Sequence, residues 1–172
     1  RMRKNIIFGL IAGLVGFGGL ASCTDKDVTT TSRFEVRLTD APADYAKVLV
    51  DIQGVEYNVN GTDGGWKSLP LKRTGVYNLL NFRNGVDTIL AGEEIAAGKI
   101  SQIRLKLGHN NSIVLKNGET ISLKVPSGAE SGLKLNLHAE LEAGLAYVLT
   151  VDFDAAKSIV EHGNGKYSLK PV

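Results

Sequence analysis

An alternation of apolar and polar residues with a period of two restricts this chain more than any other feature. Leu133, Leu135, Leu137, Ala139 and Leu141 alternate with Lys134, Asn136, His138, Glu140 and Glu142. Strand side chains point to opposite faces in turn, whereas one helix face recurs every 3.6 residues, so this segment reads as a half-buried strand. After a turn at Ala143-Gly144, Leu145, Tyr147, Leu149, Val151 and Phe153 continue the pattern. Phe34, Val36 and Leu38 form an earlier short strand, and Ile103, Leu105 and Leu107 oppose Gln102, Arg104 and Lys106 in another. A further strand changes phase: Val48, Val50 and Ile52 are even, Val55, Tyr57 and Val59 are odd, and Gly54 stands at the switch. One inserted residue restores the facing, so a bulge or sharp bend is predicted there.

Turn chemistry agrees. Asn-Gly occurs at Asn60-Gly61, Asn84-Gly85, Asn117-Gly118 and Asn164-Gly165, and this dipeptide accepts the positive φ of hairpin turns. The third is specific enough to fix a register. Opposed residues share a face, so a two-residue loop would set Val114 against Ile121, while a loop of Lys116-Asn117-Gly118 sets Ile113 against Ile121. The second keeps the apolar residues together and places Gly118 in the left-handed region beside a bulge. No long amphipathic helix is seen, but helical turns fit Gly75 to Asn81 and Ala91 to Ala97. Roughly nine or ten strands at this spacing predict an all-β fold, an antiparallel β-sandwich of immunoglobulin-like or transthyretin-like type over residues 33–172.

The first residues belong to a different class. Arg1, Arg3 and Lys4 precede an uncharged run from Ile6 to Leu20 that holds five glycines. A spanning helix needs about 20 apolar residues, so this shorter run fits a secretory signal. It ends in Leu20-Ala21-Ser22-Cys23, which resembles the bacterial lipobox, where the cysteine thiol is acylated and the chain is cut before it. Residues 1–22 are thus read as a lipoprotein signal peptide, with Leu20, Ala21 and Ser22 as its cleavage signal and Cys23 as the lipidated residue. Cys23 is the one cysteine of the chain, which excludes an intrachain disulfide framework. Residues 23–32 continue as a polar tether, and lipid on Cys23 would make the membrane a partner, because two or more acyl chains give stable anchoring. The expected address is the bacterial cell envelope, at the outer membrane, on its periplasmic or surface face.

Charge narrows the partners. The 172 residues carry a formal +2; removal of residues 1–22 leaves 17 basic against 18 acidic side chains. A near-neutral chain lacks the basic excess of a dedicated nucleic-acid binder.

Catalytic patterns find little support. Ser131-Gly132-Leu133-Lys134 has the Ser-x-x-Lys spacing, but that motif works on a helical turn, and here it opens a strand. His109, His138 and His162 lack a second histidine at the spacing zinc sites use, and there is no Gly-x-Ser-x-Gly elbow. Oxygen-rich loops hold calcium; Asp152 and Asp154 are the metal candidates, although Asp154 also suits an N-cap for Ala155-Ala156-Lys157. Asp40 and Asp44 flank the turn at Pro42. No cofactor loop stands outside the signal peptide. Trp66, after Gly64-Gly65, and Tyr57 are candidate stacking platforms for a sugar, alongside Tyr45, Tyr77, Tyr147 and Tyr167. Asp87-Thr88-Ile89 resembles an O-glycosylation site of some envelope bacteria, with Thr88 as acceptor.

Longer segments carry a family resemblance. LTDAPADYAKVLVDIQGVEY from Leu38, GWKSL from Gly65, AAGKISQIRLKLG from Ala96, VPSGAESGLKL from Val125 and VDFDAAKSIVEHGNGKYSLKPV from Val151 together resemble an uncharacterised lipoprotein domain family, the domain-of-unknown-function family numbered 4382. Ile100 stands where that family leads one to expect an aromatic, and relatives often extend a little past Val172. The resemblance implies an envelope-anchored β-sandwich and supplies no catalytic residues. The expected function is non-catalytic: ligand binding, with a glycan among the candidates, or surface assembly. An envelope hydrolase or a structural, adhesive component is the alternative.

Overall fold

The computed structural model describes residues 30–59, 61–125 and 132–170. The signal peptide, Cys23, the tether to residue 29, Asn60 and Ser131 lie outside the described residues. Twelve strands are present among those described: β1 (Thr31–Thr39), β2 (Lys47–Asn58), β3 (Trp66–Leu69), β4 (Gly75–Asn78), β5 (Thr88–Ala96), β6 (Gly98–Leu107), β7 (Ser112–Val114), β8 (Thr120–Lys124), β9 (Leu133–Leu141), β10 (Ala146–Asp152), β11 (Ile159–His162) and β12 (Lys166–Leu169). They exceed the predicted nine or ten because β3, β4, β7, β11 and β12 have only three or four residues each, too few to show alternation.

Two sheets face each other, as expected of a sandwich. The smaller has the order β10-β1-β5; the larger runs β11-β12-β8-β7-β2-β6-β9, with β3 and β4 also on β2. β2 is the spine of the larger sheet. One of its edges takes β7 and β6, the other β4 and β3. Phe34, Val36, Leu38, Leu90 and Val151 from the small sheet share one buried cluster with Val48, Val50, Ile52, Val55, Tyr57, Ile103, Leu105 and Ile113 from the large one. Each such side chain removed from water contributes about 1.5–3 kcal/mol, and this burial drives the fold.

The phase change in β2 is a bulge. Its register against β6 shifts between Ile52 and Gly54, so Val48, Val50 and Ile52 before it and Val55 and Tyr57 after it all face the core. The predicted hairpin also forms. Ile113 pairs with Ile121, Leu115 N–H donates to Glu119 O at 2.8 Å, and Gly118 has φ +89°.

Several expectations need correction. The sandwich is not purely antiparallel: β1 with β10 and β8 with β12 pair in parallel. The segment Ala91 to Ala97 is not a helical turn, because it lies largely within β5, where Leu90, Ala91 and Ile95 are buried and pairing with β1 overrides local helix propensity. In the segment Gly75 to Asn81, Gly75–Asn78 is strand and only Leu79–Phe82 winds, as a 3-10 turn. β1 starts at Thr31, inside the segment read as tether. Polar Thr31 and Ser32 carry no apolar signal, but the fully buried Ser32 hydroxyl donates to Leu145 O at 2.8 Å. The turn at Ala143-Gly144 joins strands of different sheets, β9 in the large and β10 in the small. Asn84-Gly85 leads from the 3-10 turn into β5 rather than closing a hairpin.

Candidate functional site

The outward face of the large sheet carries an ordered polar grid. Trp66 of β3 lies opposite Asn58 of β2, Asn58 opposite Gln102 of β6, and Gln102 opposite Asn136 of β9. The next row runs Ser68, Glu56, Arg104, Lys134. Neighbouring strands are about 4.8 Å apart, so four strands give a platform on the order of 14 Å wide. The alternation that turns Val55, Tyr57, Ile103 and Leu105 into the core places these residues outside.

Each part of the grid is held. Asn58 is fully buried, its Nδ2 donates to Thr62 O at 2.6 Å, and its Oδ1 accepts from Gly61 N at 2.7 Å. Ser101 Oγ donates to Asn58 O at 3.0 Å. These bonds fix the loop that delivers Trp66 to the start of β3. Arg104 then packs its guanidinium 4.2 Å from the centre of the Trp66 ring, and Lys134 Nζ lies 5.8 Å from it. A cation over an indole face is attracted by the ring quadrupole. Glu56 pairs with Arg104 and, at 3.2 Å, with Lys106 Nζ. Desolvation opposes ionisation of Glu56, but hydrogen bonds and charge from Arg104 and Lys106 outweigh it and hold its carboxyl below the usual range. Gln102 Nε2 donates to Asn136 Oδ1 at 2.9 Å. Arg104, Lys106 and Lys134 thus gather around Glu56 on this face, and Trp66 remains half-buried.

The structure does not bring the two sequence-predicted platforms together. Trp66 is on this outer face, whereas Tyr57 is 7% exposed and faces the core. Arg104 is not among the sequence candidates, and Lys134 enters there only through the Ser-x-x-Lys spacing. Their signal was present in the even positions of β6 and β9, but only the strand order places them beside Trp66.

The remaining candidates sit apart. Asp154 caps the four-residue helix α1 (Ala155–Ser158), accepting from Lys157 N at 3.1 Å and pairing with Lys157 Nζ at 2.6 Å. Asp152 is exposed at the end of β10, and no group of three His, Cys, Asp or Glu is gathered for a metal among the described residues. Thr88, half-buried, opens β5 opposite Leu38, and its neighbour Asp87 pairs with Arg37 at 3.0 Å. His109 is exposed in the loop between β6 and β7. His138 is exposed at φ +49°, where β6 and β9 shift register, beside a cleft of about 410 Å³ that includes Lys99, Ser101 and Glu140. His162 Nε2 lies 2.8 Å from Ser168 Oγ. That contact is half of a nucleophilic arrangement, but Ser168 is buried and no carboxylate pairs with His162 among the described residues. A serine nucleophile needs an oriented base and room for a carbonyl.

The family described as a domain of unknown function, DUF4382, matches residues 31–171, and the chain belongs to it. Among curated proteins, none matches the chain.

Proposed function

We propose that this member of the family is a cell-envelope lipoprotein, held by lipid on Cys23, whose sandwich binds an acidic glycan on the outer face of β3, β2, β6 and β9. The observation that carries the reading is the half-buried Trp66 packed against Arg104 and Lys134, with Glu56 pairing to Arg104 and to Lys106 beside them. An indole stacks on the apolar face of a sugar ring, and guanidinium and ammonium groups recognise its carboxylate, sulfate or phosphate. Gln102 and Asn136, already bonded to one another, offer amides of the kind that read hydroxyl groups. The row of preset side chains on a sheet also limits the ordering cost of binding.

On a glycan array, the wild-type chain is expected to retain uronate-bearing or sulfated glycans. Trp66→Ala should lose this binding by about tenfold or more, as central aromatic anchors do. Unchanged binding by Trp66→Ala, or retention of neutral glycans alone, would refute the site. Anchoring is checked separately. Cys23→Ala is expected to move the protein from the membrane fraction to the soluble fraction, and continued membrane retention would refute the lipid anchor.

A second reading rests on the His162–Ser168 contact and makes the chain a hydrolase. It predicts labelling of Ser168 by a fluorophosphonate probe, lost in Ser168→Ala. The buried serine and the absence of an acid partner among the described residues favour the binding reading.

A further inference from the structure

We propose that β10 is a self-association edge, along which two copies of this chain pair antiparallel about a two-fold axis and join their small sheets. An unpaired strand edge templates another strand unless it is blunted by charge, bulges, shortness or cover. The other edges are blunted in this way. β5 is covered by the 70–72 segment, through Lys72 N to Leu90 O at 2.7 Å and Gly92 N to Pro70 O at 3.3 Å. β9 presents Lys134, Asn136, His138 and Glu140 and carries the bulge at His138. β11, β3 and β4 have four residues each.

Among the described residues β10 has none of these protections. There it pairs with β1 alone, and its seven residues, Ala-Tyr-Val-Leu-Thr-Val-Asp, hold no charge before Asp152. It also exposes apolar surface: Val148 is 57% exposed and the adjoining Leu145 is 50% exposed, two of the four large hydrophobics that are exposed among the described residues.

The occupant follows from the sequence of the strand. Opposed residues in an antiparallel pair share a face, so a two-fold pairing must centre on a residue. Centred on Val148, it sets that side chain against its own image, Ala146 against Thr150 and Tyr147 against Leu149, and leaves Asp152 outside the apolar run. Centred on Leu149, it would place Asp152 opposite Ala146 and Val148 opposite Thr150. Both registers are self-complementary, as an isologous interface requires, but the first sets the exposed Val148 against an apolar side chain and the second sets it against Thr150.

A cleft lies where the second copy would project. β9 and β10 splay apart into different sheets and leave about 360 Å³ between them, with Leu133, Leu135, Leu137, Leu149 and Phe153 among its lining residues. In the register centred on Val148, Tyr147 of the partner subunit and Leu149 of the partner subunit face the same side as this cleft. The same strand therefore supplies backbone pairing on its edge and apolar cover for the opening beside it.

The test uses the chain with Cys23→Ser, so that an introduced thiol is the one thiol present. Val148→Cys is expected to crosslink into a dimer on mild oxidation, and Glu35→Cys, on the central strand of the same sheet, is expected not to. Sedimentation should show the parent chain as a dimer and Val148→Lys as a monomer with an unchanged far-ultraviolet circular dichroism spectrum. A monomeric parent at every concentration tested, or a dimer that survives Val148→Lys, would overturn the proposal.

Discussion

Replacing Gly108 by alanine is expected to destabilise the fold by about 2–4 kcal/mol, a loss on the order of 10 °C in Tm for a domain of this size. Gly108 sits against the buried Asp51 of β2. A Cβ at this position would overlap the Asp51 carboxylate, approaching its Cγ to 2.6 Å, and would also press on Gln53 Cγ at 3.0 Å. Asp51 cannot move freely, because it ties the spine strand to the loop between β6 and β7. Its carboxylate accepts from Asn110 N at 3.2 Å and from Gln53 Nε2 at 2.5 Å. Its backbone N–H donates to Asn111 Oδ1 at 2.9 Å, and Gly108 N–H donates to its carbonyl at 2.8 Å. Asn111 Nδ2 closes the set by donating to Gly108 O at 2.7 Å. Displacing a buried carboxylate from such partners costs more than the bonds are worth net, since the charge is left unsatisfied. Gly64→Ala is the control: a Cβ there meets nothing within 4 Å, and its effect should stay within about 1 kcal/mol. Equal melting temperatures for the two variants would contradict this account of the Asp51 network.

Stability is also expected to rise as the pH falls from about 7.5 to about 5, through Asp40. This residue directly follows β1 and is 4% exposed. One carboxylate oxygen accepts from Ala155 N at 3.1 Å, at the start of α1, while the other is buried with no hydrogen-bond partner among the described residues. Burial pushes its pKa up from 3.8 to about 6, and the charges of Asp152 and Asp154 add to the rise, against hydrogen bonds from Ala155 and Ala41 that lower it. The sign follows directly. Above about pH 6 both folded and unfolded chains carry the charge, and the folded chain bears the full penalty of burying it. Between about 6 and 3.8 only the folded chain binds the proton, so its stability increases as pH falls. Below 3.8 both states are protonated and the gain is complete. The gain is on the order of 1–3 kcal/mol. Asp40→Asn keeps an acceptor for Ala155 N without the charge. It should therefore exceed the wild type in stability at about pH 7.5 and flatten the pH dependence. Urea unfolding of both proteins at several pH values checks this. A variant less stable at about pH 7.5, with the wild-type slope retained, would show that Asp40 is not the group responsible.

The sequence made the strands legible where a long run alternated and hid them where contacts were non-local. β1, β2, β6, β9 and β10 could be read from parity alone. The bulge at Gly54 and the hairpin loop at Gly118 followed from the rule that apolar residues on paired strands share a face. The segment Ala91 to Ala97 hides its strand because its alternation is broken, and its strand state comes from pairing with β1 about 60 residues earlier in the chain. The parallel pairing of β1 with β10 joins strands more than 100 residues apart, which no local signal encodes. The site shows the same division. Trp66 was identifiable as the one tryptophan after a Gly-Gly turn. That Tyr57 would turn inward was implicit in its phase with Val55, whereas the approach of Arg104 and Lys134 depends on the order β3-β2-β6-β9.

The most direct test of the central claim uses that single tryptophan, because its fluorescence reports from the proposed site alone. Titrating the chain with a uronate-bearing oligosaccharide is expected to shift or quench Trp66 emission to a saturating value. The response should weaken with added salt, as charge recognition at a surface does, and should fall strongly in Lys134→Ala. A neutral oligosaccharide of equal length should produce little change. Emission that stays constant across acidic glycans, or responds equally to neutral ones and to Lys134→Ala, would contradict an acidic-glycan platform on the outer face of this sandwich.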